Sequence, residues 1–359
     1  MTASVHYLST LAFDEEFLDR LRAVSPLLTV EQITAGSPED IPPQVWAQVD
    51  ILHTSSVFPS ARCAPALRWI QLDSSGADHL RGQPIWDSDI SITTLGGVGP
   101  VSMAEYVTFS VLALAHRLPA LVETRNARLW PDPGPGAQRF TPAPVRGTTM
   151  VILGYGRIGQ EIARLAAPFG IRVIGVSRGG VQDTSQELLR YDGRRVAARP
   201  AAPRHRTVDS SAPVVATVDQ VALVAADRLD EVLGLADWLV VVVPHTPDTH
   251  RMLDARRLGR VKPGAMLINV SRGGVVDETA LLGALRSGRI AGAALDVFES
   301  EPLPATSPWW TEPGVLLTPH VGGLTADYGA HVEQIVTGNL ERFLAGGTLL
   351  NVVDRGRGY

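Results

Sequence analysis

The stretch Thr148-Thr-Met-Val-Ile-Leu-Gly-Tyr-Gly-Arg-Ile-Gly159 decides the fold of this chain. It begins with an apolar run, which predicts a buried strand over Thr148–Leu153, and a helical pattern follows from about Arg157 to Phe169. The turn between the two has the spacing Gly-x-Gly-x-x-Gly, which is informative only where a strand leads into a helix. The stretch therefore predicts a dinucleotide-binding βαβ unit.

Each residue of this turn has a physical reason to be there. Gly154 permits the tight turn, Gly156 lets the backbone approach a pyrophosphate, and Gly159 permits close packing of the helix on the strand. Arg157 and Ile158 open a helix whose free N–H groups and positive dipole end attract phosphate. We expect all five residues to contact a dinucleotide cofactor. The alternative interpretation is a tight structural turn without a ligand.

Strand-like and helix-like stretches alternate on both sides of this unit, which predicts an α/β architecture with parallel sheets. The predicted strands are Val5–Leu8, Val49–His53, Trp69–Leu72, Ile90–Thr94, Arg172–Val176, Trp238–Val243, Ala265–Val270, Ala291–Val297 and Val315–Thr318. The other predicted helices are Asp14–Ala23, Pro43–Val49, Met103–Leu118, Thr279–Ser287 and His331–Ala345. A second series of βα units thus begins at Thr148.

Three segments depart from this alternation. The helix Met103–Leu118 is apolar nearly all round, so it must be buried between domains or against a partner chain. The stretch from Trp130 to Gly136 is too rich in proline and glycine for regular structure and predicts a linker or an arm. Residues 179–228 separate two elements that usually lie a short loop apart. We interpret them as a solvated insertion that the Rossmann core does not need, and a functional segment is the alternative.

Composition excludes several classes of protein. With 45% apolar and 19% charged residues, the chain of 359 residues is not disordered as a whole. A net charge of −5 gives no basic footprint for nucleic acid and no attraction to anionic membranes. The longest apolar run, Trp238–Pro244, is too short to span a bilayer, and Cys63 alone cannot form an intrachain disulfide. No signal peptide is visible, so we expect a cytoplasmic protein.

Three polar side chains that follow apolar strands of the second series form the candidate catalytic set: Arg272, Glu301 and His320. Because ligands bind outside the carboxyl ends of the strands in open α/β sheets, we expect the three to converge there. An arginine binds a carboxylate or a developing oxyanion. A histidine transfers a proton near neutral pH, and a carboxylate orients its ring. Glu299 is the rival for the carboxylate role.

Six segments together resemble the D-isomer-specific 2-hydroxyacid dehydrogenase family, and the resemblance extends over nearly the whole chain. They are Leu67-Arg-Trp-Ile-Gln-Leu-Asp-Ser-Ser-Gly-Ala-Asp-His-Leu80, Ala236-Asp-Trp-Leu-Val-Val-Val-Val-Pro-His-Thr-Pro247, Leu267-Ile-Asn-Val-Ser-Arg-Gly-Gly-Val-Val-Asp277, Ala294-Leu-Asp-Val-Phe-Glu-Ser-Glu-Pro302, Leu317-Thr-Pro-His-Val-Gly-Gly323 and Asn351-Val-Val-Asp354.

The resemblance implies two Rossmann-like parallel-sheet domains. A dinucleotide-binding domain at 103–321 would be inserted in a discontinuous, flavodoxin-like substrate domain at 1–102 and 322–359. The helix 103–118 would lie at the interface of a homodimer. For the arm around Trp130 two interpretations stay open, a contact with the neighbouring subunit's cleft and a loop anchor within its own chain.

The resemblance also implies roles for single residues. The arginine of the family's Asn-x-Ser-Arg-Gly-Gly segment binds substrate and corresponds to Arg272. The glutamate before proline and the histidine of Thr-Pro-His correspond to Glu301 and His320, which favours Glu301 over Glu299. Asp296 would hold the nicotinamide carboxamide.

The resemblance implies contacts of two further kinds. The backbone N–H groups of the loop at Ser75 and Gly76 would bind the substrate carboxylate, where glycine permits close approach. Further contacts with the cofactor would come from Pro244, Thr249, Val270, Ser271 and Gly322.

The end of the second Rossmann strand bears on the choice of cofactor. An acidic residue there would bind the adenosine 2′-hydroxyl, but the chain has Ser177 and Arg178. This pair suits a 2′-phosphate, so we expect NADP to be preferred over NAD. The alternative is that Arg178 points to water and both cofactors work. The nine histidines show no metal-binding spacing, so we expect no metal.

The expected activity is reversible hydride transfer between NAD(P) and a small 2-oxo or 2-hydroxy acid of the D-series. Reduction of a glyoxylate- or hydroxypyruvate-like 2-oxo acid is the favoured direction. One alternative is a dehydrogenase of another small anion, such as formate or phosphite, although the formate enzymes have glutamine at the position of Glu301. The other is a non-catalytic, NAD(P)-sensing binding protein on the same fold, because fold does not imply function.

Overall fold

The fold is taken from a computed structural model, which describes residues 4–97, 99–131, 134, 139–178, 188–189, 195–196, 216–218 and 221–358. Most of the predicted insertion at 179–228 lies outside these residues, as does part of the predicted arm from Trp130 to Gly136. The chain divides into two compact units. Unit 1 consists of Met1–Val98 with Thr325–Tyr359, and unit 2 consists of Gly99–Leu324.

The strands, in chain order, are β1 (Val5–Ser9), β2 (Leu28–Gln32), β3 (Ile51–Thr54), β4 (Trp69–Leu72), β5 (Ser91–Thr93), β6 (Thr149–Leu153), β7 (Arg172–Ser177), β8 (Leu188–Leu189), β9 (Arg195–Val196), β10 (Ala216–Val218), β11 (Val221–Ala225), β12 (Trp238–Val241), β13 (Ala265–Asn269), β14 (Ile290–Leu295) and β15 (Val315–Leu317). The α-helices are α1 (Glu15–Ala23), α2 (Pro43–Trp46), α3 (Pro100–Ala115), α4 (Leu118–Asn126), α5 (Arg157–Ala166), α6 (Leu229–Val232), α7 (Ala255–Leu258), α8 (Glu278–Arg286) and α9 (Tyr328–Leu344). Across the described parts of the chain, no helix combines the length and the apolar character needed to cross a membrane.

Unit 1 contains a five-stranded parallel sheet in the order β2-β1-β3-β4-β5. Its strands β3 and β4 are buried at every position, including the polar residues His53, Thr54 and Gln71. Strand β2 is absent from the predicted strands, because Glu31 and Gln32 interrupt its apolar pattern. Helix α1 begins where the Asp14 side chain accepts a hydrogen bond from Phe17 N, and it buries Phe17, Leu18 and Leu21.

Unit 2 contains an eight-stranded sheet in the order β10-β11-β7-β6-β12-β13-β14-β15. All pairs are parallel except β10 with β11. The predicted α/β class with two parallel sheets is confirmed. Because β7 lies on one side of β6 and β12 on the other, the strand order reverses at β6, and ligands bind at such a switch point. The glycine turn directly follows β6.

The predicted helix Met103–Leu118 is wrong at both ends. Helix α3 already begins at Pro100 and ends at Ala115, and a separate helix α4 begins at Leu118. Between them Arg117 has a left-handed backbone with φ of 58°. The physical reason is Pro119, which has no N–H to continue the ladder to Ala115 and so forces a restart.

The carboxyl-terminal end of the predicted insertion is also wrong. Residues 221–225 form β11, which pairs in parallel with β7 and places Val224 at 0% exposure. The sheet and core of unit 2 therefore include residues 221–225, contrary to the expectation that the core does not need them. The strand escaped the prediction because it follows forty residues without a clear pattern.

Candidate active site

The sheet order of unit 2 brings the three predicted catalytic residues to one edge. Arg272 follows β13, Glu301 follows β14 and His320 follows β15, and these three strands are neighbours in the sheet. They are parallel, so their carboxyl ends meet at the same edge. The convergence expected from the sequence therefore has a structural basis.

Glu301 and His320 are in direct contact. His320 Nδ1 lies 2.7 Å from Glu301 Oε2, and Glu301 Oε1 accepts a hydrogen bond from Phe298 N at 2.8 Å. A carboxylate only accepts, so His320 Nδ1 carries the proton and Nε2 is the nitrogen whose protonation can change. The His320 side chain is 45% exposed, which leaves its ring accessible to a substrate.

The rival carboxylate Glu299 has other partners. Its Oε1 lies 3.4 Å from Arg251 Nη2, and its backbone N donates to Glu278 Oε1. The pairing with His320 therefore belongs to Glu301, the glutamate that directly precedes Pro302.

Arg272 lies half-buried on a loop that packs against the segment leading to Glu301. A Cβ atom on Gly273 would come within 1.9 Å of Phe298 C, so only glycine allows this approach of the two loops. The start of the loop is fixed by Asn269, whose Oδ1 accepts from Ser271 Oγ at 2.7 Å. Asn269 Nδ2 in turn donates to Arg272 O at 3.2 Å. Arg272 thus lies on a loop that adjoins the segment from Phe298 to Glu301, and its Nη1 donates to Ser271 O at 2.8 Å.

The glycine turn fits a dinucleotide. A Cβ atom on Gly154 would lie 2.7 Å from Val242 O, and one on Gly159 would lie 2.2 Å from Gly154 O, so packing within the protein requires both glycines. Gly156 differs, because a Cβ atom there would meet nothing within 4 Å. The space above Gly156 is therefore open to a pyrophosphate, in front of the first N–H groups of α5. Arg157 is exposed at the same place.

The remaining predicted cofactor residues lie along the same edge. Ser177 is the buried last residue of β7, and Arg178 follows it exposed. Beyond β12, Thr249 Oγ1 donates to Pro244 O at 2.7 Å and closes the loop. At the end of β13, Val270 and Ser271 are buried. These residues therefore lie at the carboxyl ends of the strands of unit 2, and their contacts with a cofactor stay predictions.

Asp296, predicted to hold the nicotinamide carboxamide, is fully buried. Its Oδ1 accepts from Val321 N and its Oδ2 from Gly322 N, each at 2.9 Å. Thr318 Oγ1 donates to Oδ1 at 2.6 Å, and Tyr106 Oη lies 2.6 Å from Thr318 Oγ1. Sequence reasoning missed Tyr106 and Thr318. Thr318 stands in the quoted Leu317–Gly323 segment, but nothing in the sequence links it to Tyr106.

In unit 1, the loop with Ser75 and Gly76 follows the carboxyl end of β4. Ser74 Oγ donates to Gly76 O at 2.7 Å, and Leu95 N donates to Ser74 O at 2.8 Å, so the loop is held at both sides. Ser75 is exposed at its tip. Among the residues that the structure describes, no cluster of histidine, cysteine or carboxylate side chains could hold a metal ion.

The chain is similar to several known proteins. Residues 108–201 and 192–322 match the family model for "D-isomer specific 2-hydroxyacid dehydrogenase, NAD binding domain". The glyoxylate reductase of Thermococcus onnurineus is 32% identical over 296 residues, which cover 81% of this chain and 78% of that protein. The D-3-phosphoglycerate dehydrogenase of Methanocaldococcus jannaschii is 28% identical over 291 residues; the match covers 81% of this chain but about half (48%) of that longer protein.

A solved structure extends the likeness to the whole chain. The NADPH-dependent glyoxylate/hydroxypyruvate reductase of Sinorhizobium meliloti, in complex with NADP and sulfate, is 26% identical with a TM-score of 0.73, and the alignment covers 99% of this chain and 100% of that chain. The chain belongs to the D-isomer specific 2-hydroxyacid dehydrogenase family, and unit 2 carries its NAD(P)-binding domain. The family resemblance inferred from the sequence is confirmed.

Proposed function

We propose that the chain is an NADPH-dependent reductase of a small 2-oxo acid of the glyoxylate or hydroxypyruvate kind, forming the D-2-hydroxy acid. The observation that carries the proposal is the hydrogen-bonded pair of Glu301 and His320, at the sheet edge that also holds the glycine turn. Relatives named glyoxylate reductase and glyoxylate/hydroxypyruvate reductase support the substrate class.

In this mechanism His320 is the general acid. Bound NADPH supplies the hydride that the carbonyl carbon of the substrate accepts, and His320 gives a proton to the carbonyl oxygen. Glu301 accepts a hydrogen bond from His320 Nδ1, so the transferable proton sits on Nε2, and the negative charge of Glu301 stabilises the charged ring before transfer. In the reverse direction, neutral His320 takes the hydroxyl proton as a general base.

Arg272 binds the substrate and polarises its carbonyl. A guanidinium can donate two parallel hydrogen bonds, which suits a carboxylate and the negative charge that develops on the carbonyl oxygen. In unit 1, the backbone N–H groups of Ser75 and Gly76 stay predicted to bind the substrate carboxylate, and Ser75 is exposed at the tip of its loop.

For the cofactor, the fit favours NADP over NAD. The pyrophosphate would lie over Gly156, Arg157 and Ile158 at the start of α5, and Asp296 and Gly322 would lie near the nicotinamide. The edge of β7 offers a hydroxyl on Ser177 and a positive charge on Arg178, with no carboxylate at either position to repel a 2′-phosphate. The Sinorhizobium meliloti structure contains NADP, which supports this assignment.

The assembly we propose is a homodimer through the region of α3 and α4. Five apolar side chains from α3 to Trp130 are exposed in the protomer: Phe109, Leu121, Val122, Leu129 and Trp130, the last at 94%. We assign these side chains to the interface. Light scattering at micromolar concentration should give twice the mass of the chain, and a monomer would reject the assignment.

We propose that the protein is cytoplasmic, and its single cysteine, the exposed Cys63, is compatible with that reducing compartment. We propose no nucleic-acid partner, because a net charge of −5 does not attract a polyanion.

The test is NADPH consumption by the purified protein with glyoxylate, hydroxypyruvate and pyruvate in parallel. We expect turnover with at least one of them, and a fall in kcat of about 10²–10⁴ in His320→Ala. Turnover of formate or phosphite instead would favour a dehydrogenase of another small anion. Binding of NADPH without turnover of any 2-oxo acid would favour a cofactor-sensing protein.

A further inference from the structure

The buried carboxylate of Asp296 is the centre of a hydrogen-bond network next to the catalytic pair. It accepts hydrogen bonds from Val321 N, Gly322 N and Thr318 Oγ1. All three donors belong to the segment that contains His320. A buried carboxylate is costly unless it is hydrogen-bonded, so these donors and Asp296 hold each other in place.

The direction of the hydrogen bonds extends the network to helix α3. A carboxylate only accepts, so Thr318 must use its single hydroxyl proton for Asp296. Tyr106 must then donate to Thr318 Oγ1, at 2.6 Å. Burial raises the pKa of Tyr106, so its hydroxyl keeps the proton that this direction needs. The network therefore runs from Tyr106 through Thr318 to Asp296.

The backbone of His320 explains what this network achieves. His320 has a φ of 55°, a left-handed conformation that residues with a side chain rarely adopt. The next two N–H groups, of Val321 and Gly322, then both point at the Asp296 carboxylate, and successive N–H groups that converge in this way form an anion-binding nest. A Cβ atom on Gly322 would lie 3.0 Å from Asp296 Oδ2, so a residue without a side chain suits this close approach.

We propose that Asp296, Thr318 and Tyr106 are positioning residues that hold the backbone of His320 in its left-handed conformation and thereby aim its ring at Glu301 and the substrate. The proposal rests on the proposed role of His320 as general acid. It gives Asp296 a task toward the protein itself, separate from any contact with the nicotinamide. It also gives Tyr106 and Thr318 a part in the reaction without contact with substrate.

The test uses Thr318, because it touches neither substrate nor cofactor in the proposed mechanism. Thr318→Val removes the hydroxyl and keeps the size, and Thr318→Ser restores the hydroxyl. In Thr318→Val we expect kcat to fall about 10- to 100-fold through misalignment of His320, with KM for the 2-oxo acid and Kd for NADPH within about twofold of wild type. Thr318→Ser should recover most of kcat.

A second readout does not depend on turnover. Hydrogen exchange of the peptide with Val321 and Gly322 should be roughly 5- to 10-fold faster in Thr318→Val, because the network loses a member. The matched control is Thr108→Val on the same helix as Tyr106, where the lost hydroxyl bonds only to Ala104 O in its own helix. This control should change neither exchange in that peptide nor kcat. Tyr106→Phe, a milder change, should move exchange and kcat in the same direction as Thr318→Val.

Several results would overturn the proposal. Wild-type kcat and exchange in Thr318→Val would show that the network does not position His320. A rise in Kd for NADPH at unchanged kcat would assign the network to the cofactor, and failure of Thr318→Ser to recover activity would point to packing alone. If the wild type reduces no 2-oxo acid, the proposed function fails, and the exchange measurement still decides whether the network holds the loop.

Discussion

Replacing Glu301 with glutamine keeps the size of the side chain and removes its negative charge. In the protein Oε2 accepts from His320 Nδ1 at 2.7 Å and Oε1 accepts from Phe298 N at 2.8 Å. An amide has only one oxygen, so in Glu301→Gln one of these two donors must face the amino group. The variant therefore loses the charge and breaks one of two hydrogen bonds.

The size of the effect follows from the exposure of the pair. A hydrogen bond to a charged group contributes about 1.5–3 kcal/mol. The side chains of His320 and Glu301 are 45% and 35% exposed, so solvent screens part of the interaction and we take about 1–2 kcal/mol. Because 1.4 kcal/mol is a factor of ten, kcat should fall about 5- to 30-fold. KM should change less, since Arg272 and not His320 holds the substrate carboxylate.

The assay is steady-state NADPH consumption with the best 2-oxo acid, and the matched control is Glu299→Gln. Glu299 lies two residues away, carries the same charge and has Arg251 as its partner at 3.4 Å. Its replacement should leave kcat within about twofold, because an exposed ion pair contributes little. An unchanged kcat in Glu301→Gln, or an equal fall in both variants, would refute the reasoning.

Four further predictions concern other parts of the chain. Arg272→Ala should raise KM and lower kcat, reducing kcat/KM by about 10²–10⁴, because the side chain acts in both the ground and the transition state. Arg178→Ala should reduce the ratio of kcat/KM for NADPH to that for NADH by about tenfold or more, and a wild type that prefers NADH would contradict the cofactor assignment. Leu223→Ala, in β11, should lower the free energy of unfolding in urea by about 2–4 kcal/mol, whereas a residue of a dispensable insertion would show no effect. The hydrogen bond from Arg256 lowers the pKa of Asp230. The ionised Asp230 therefore stabilises the fold above about pH 4, and this stabilisation is lost as the pH falls through the lowered pKa. The Tm difference between wild type and Asp230→Asn should accordingly shrink in acid.

Local features of the fold could be predicted from the sequence because their causes are local. The glycine turn is an example, since Gly154 and Gly159 are required by contacts that the turn makes with its own strand, its own helix and the next strand in the sheet. The strands β4 and β13 are mainly apolar, with one polar residue each (Gln71 and Asn269), and are buried throughout; their predicted positions agree with the structure to within one residue.

Features that depend on neighbours in space were missed. Strand β2 lies at the sheet edge and is half-exposed, so burial leaves little pattern in its sequence. The break between α3 and α4 could have been predicted from Pro119, because a proline there interrupts an otherwise continuous apolar pattern. Strand β11 is recognised by its pairing with β7, and no local signal reports that partner.

The candidate site shows the same difference between local features and features that depend on neighbours in space. Arg272, Glu301 and His320 could be predicted because each stands in a distinctive segment that directly follows a strand. The groups that fix their geometry could not, because Tyr106 and Thr318 are 212 residues apart and Gly273 acts through its contact with Phe298. These supporting contacts join the loops after β13, β14 and β15 to one another and to α3. A resemblance in sequence therefore names the proposed reacting groups, whereas the glycine, threonine and tyrosine residues that contact their loops are not singled out by it. Variation at those supporting positions is where we expect members of this family with the same three reacting groups to differ in rate.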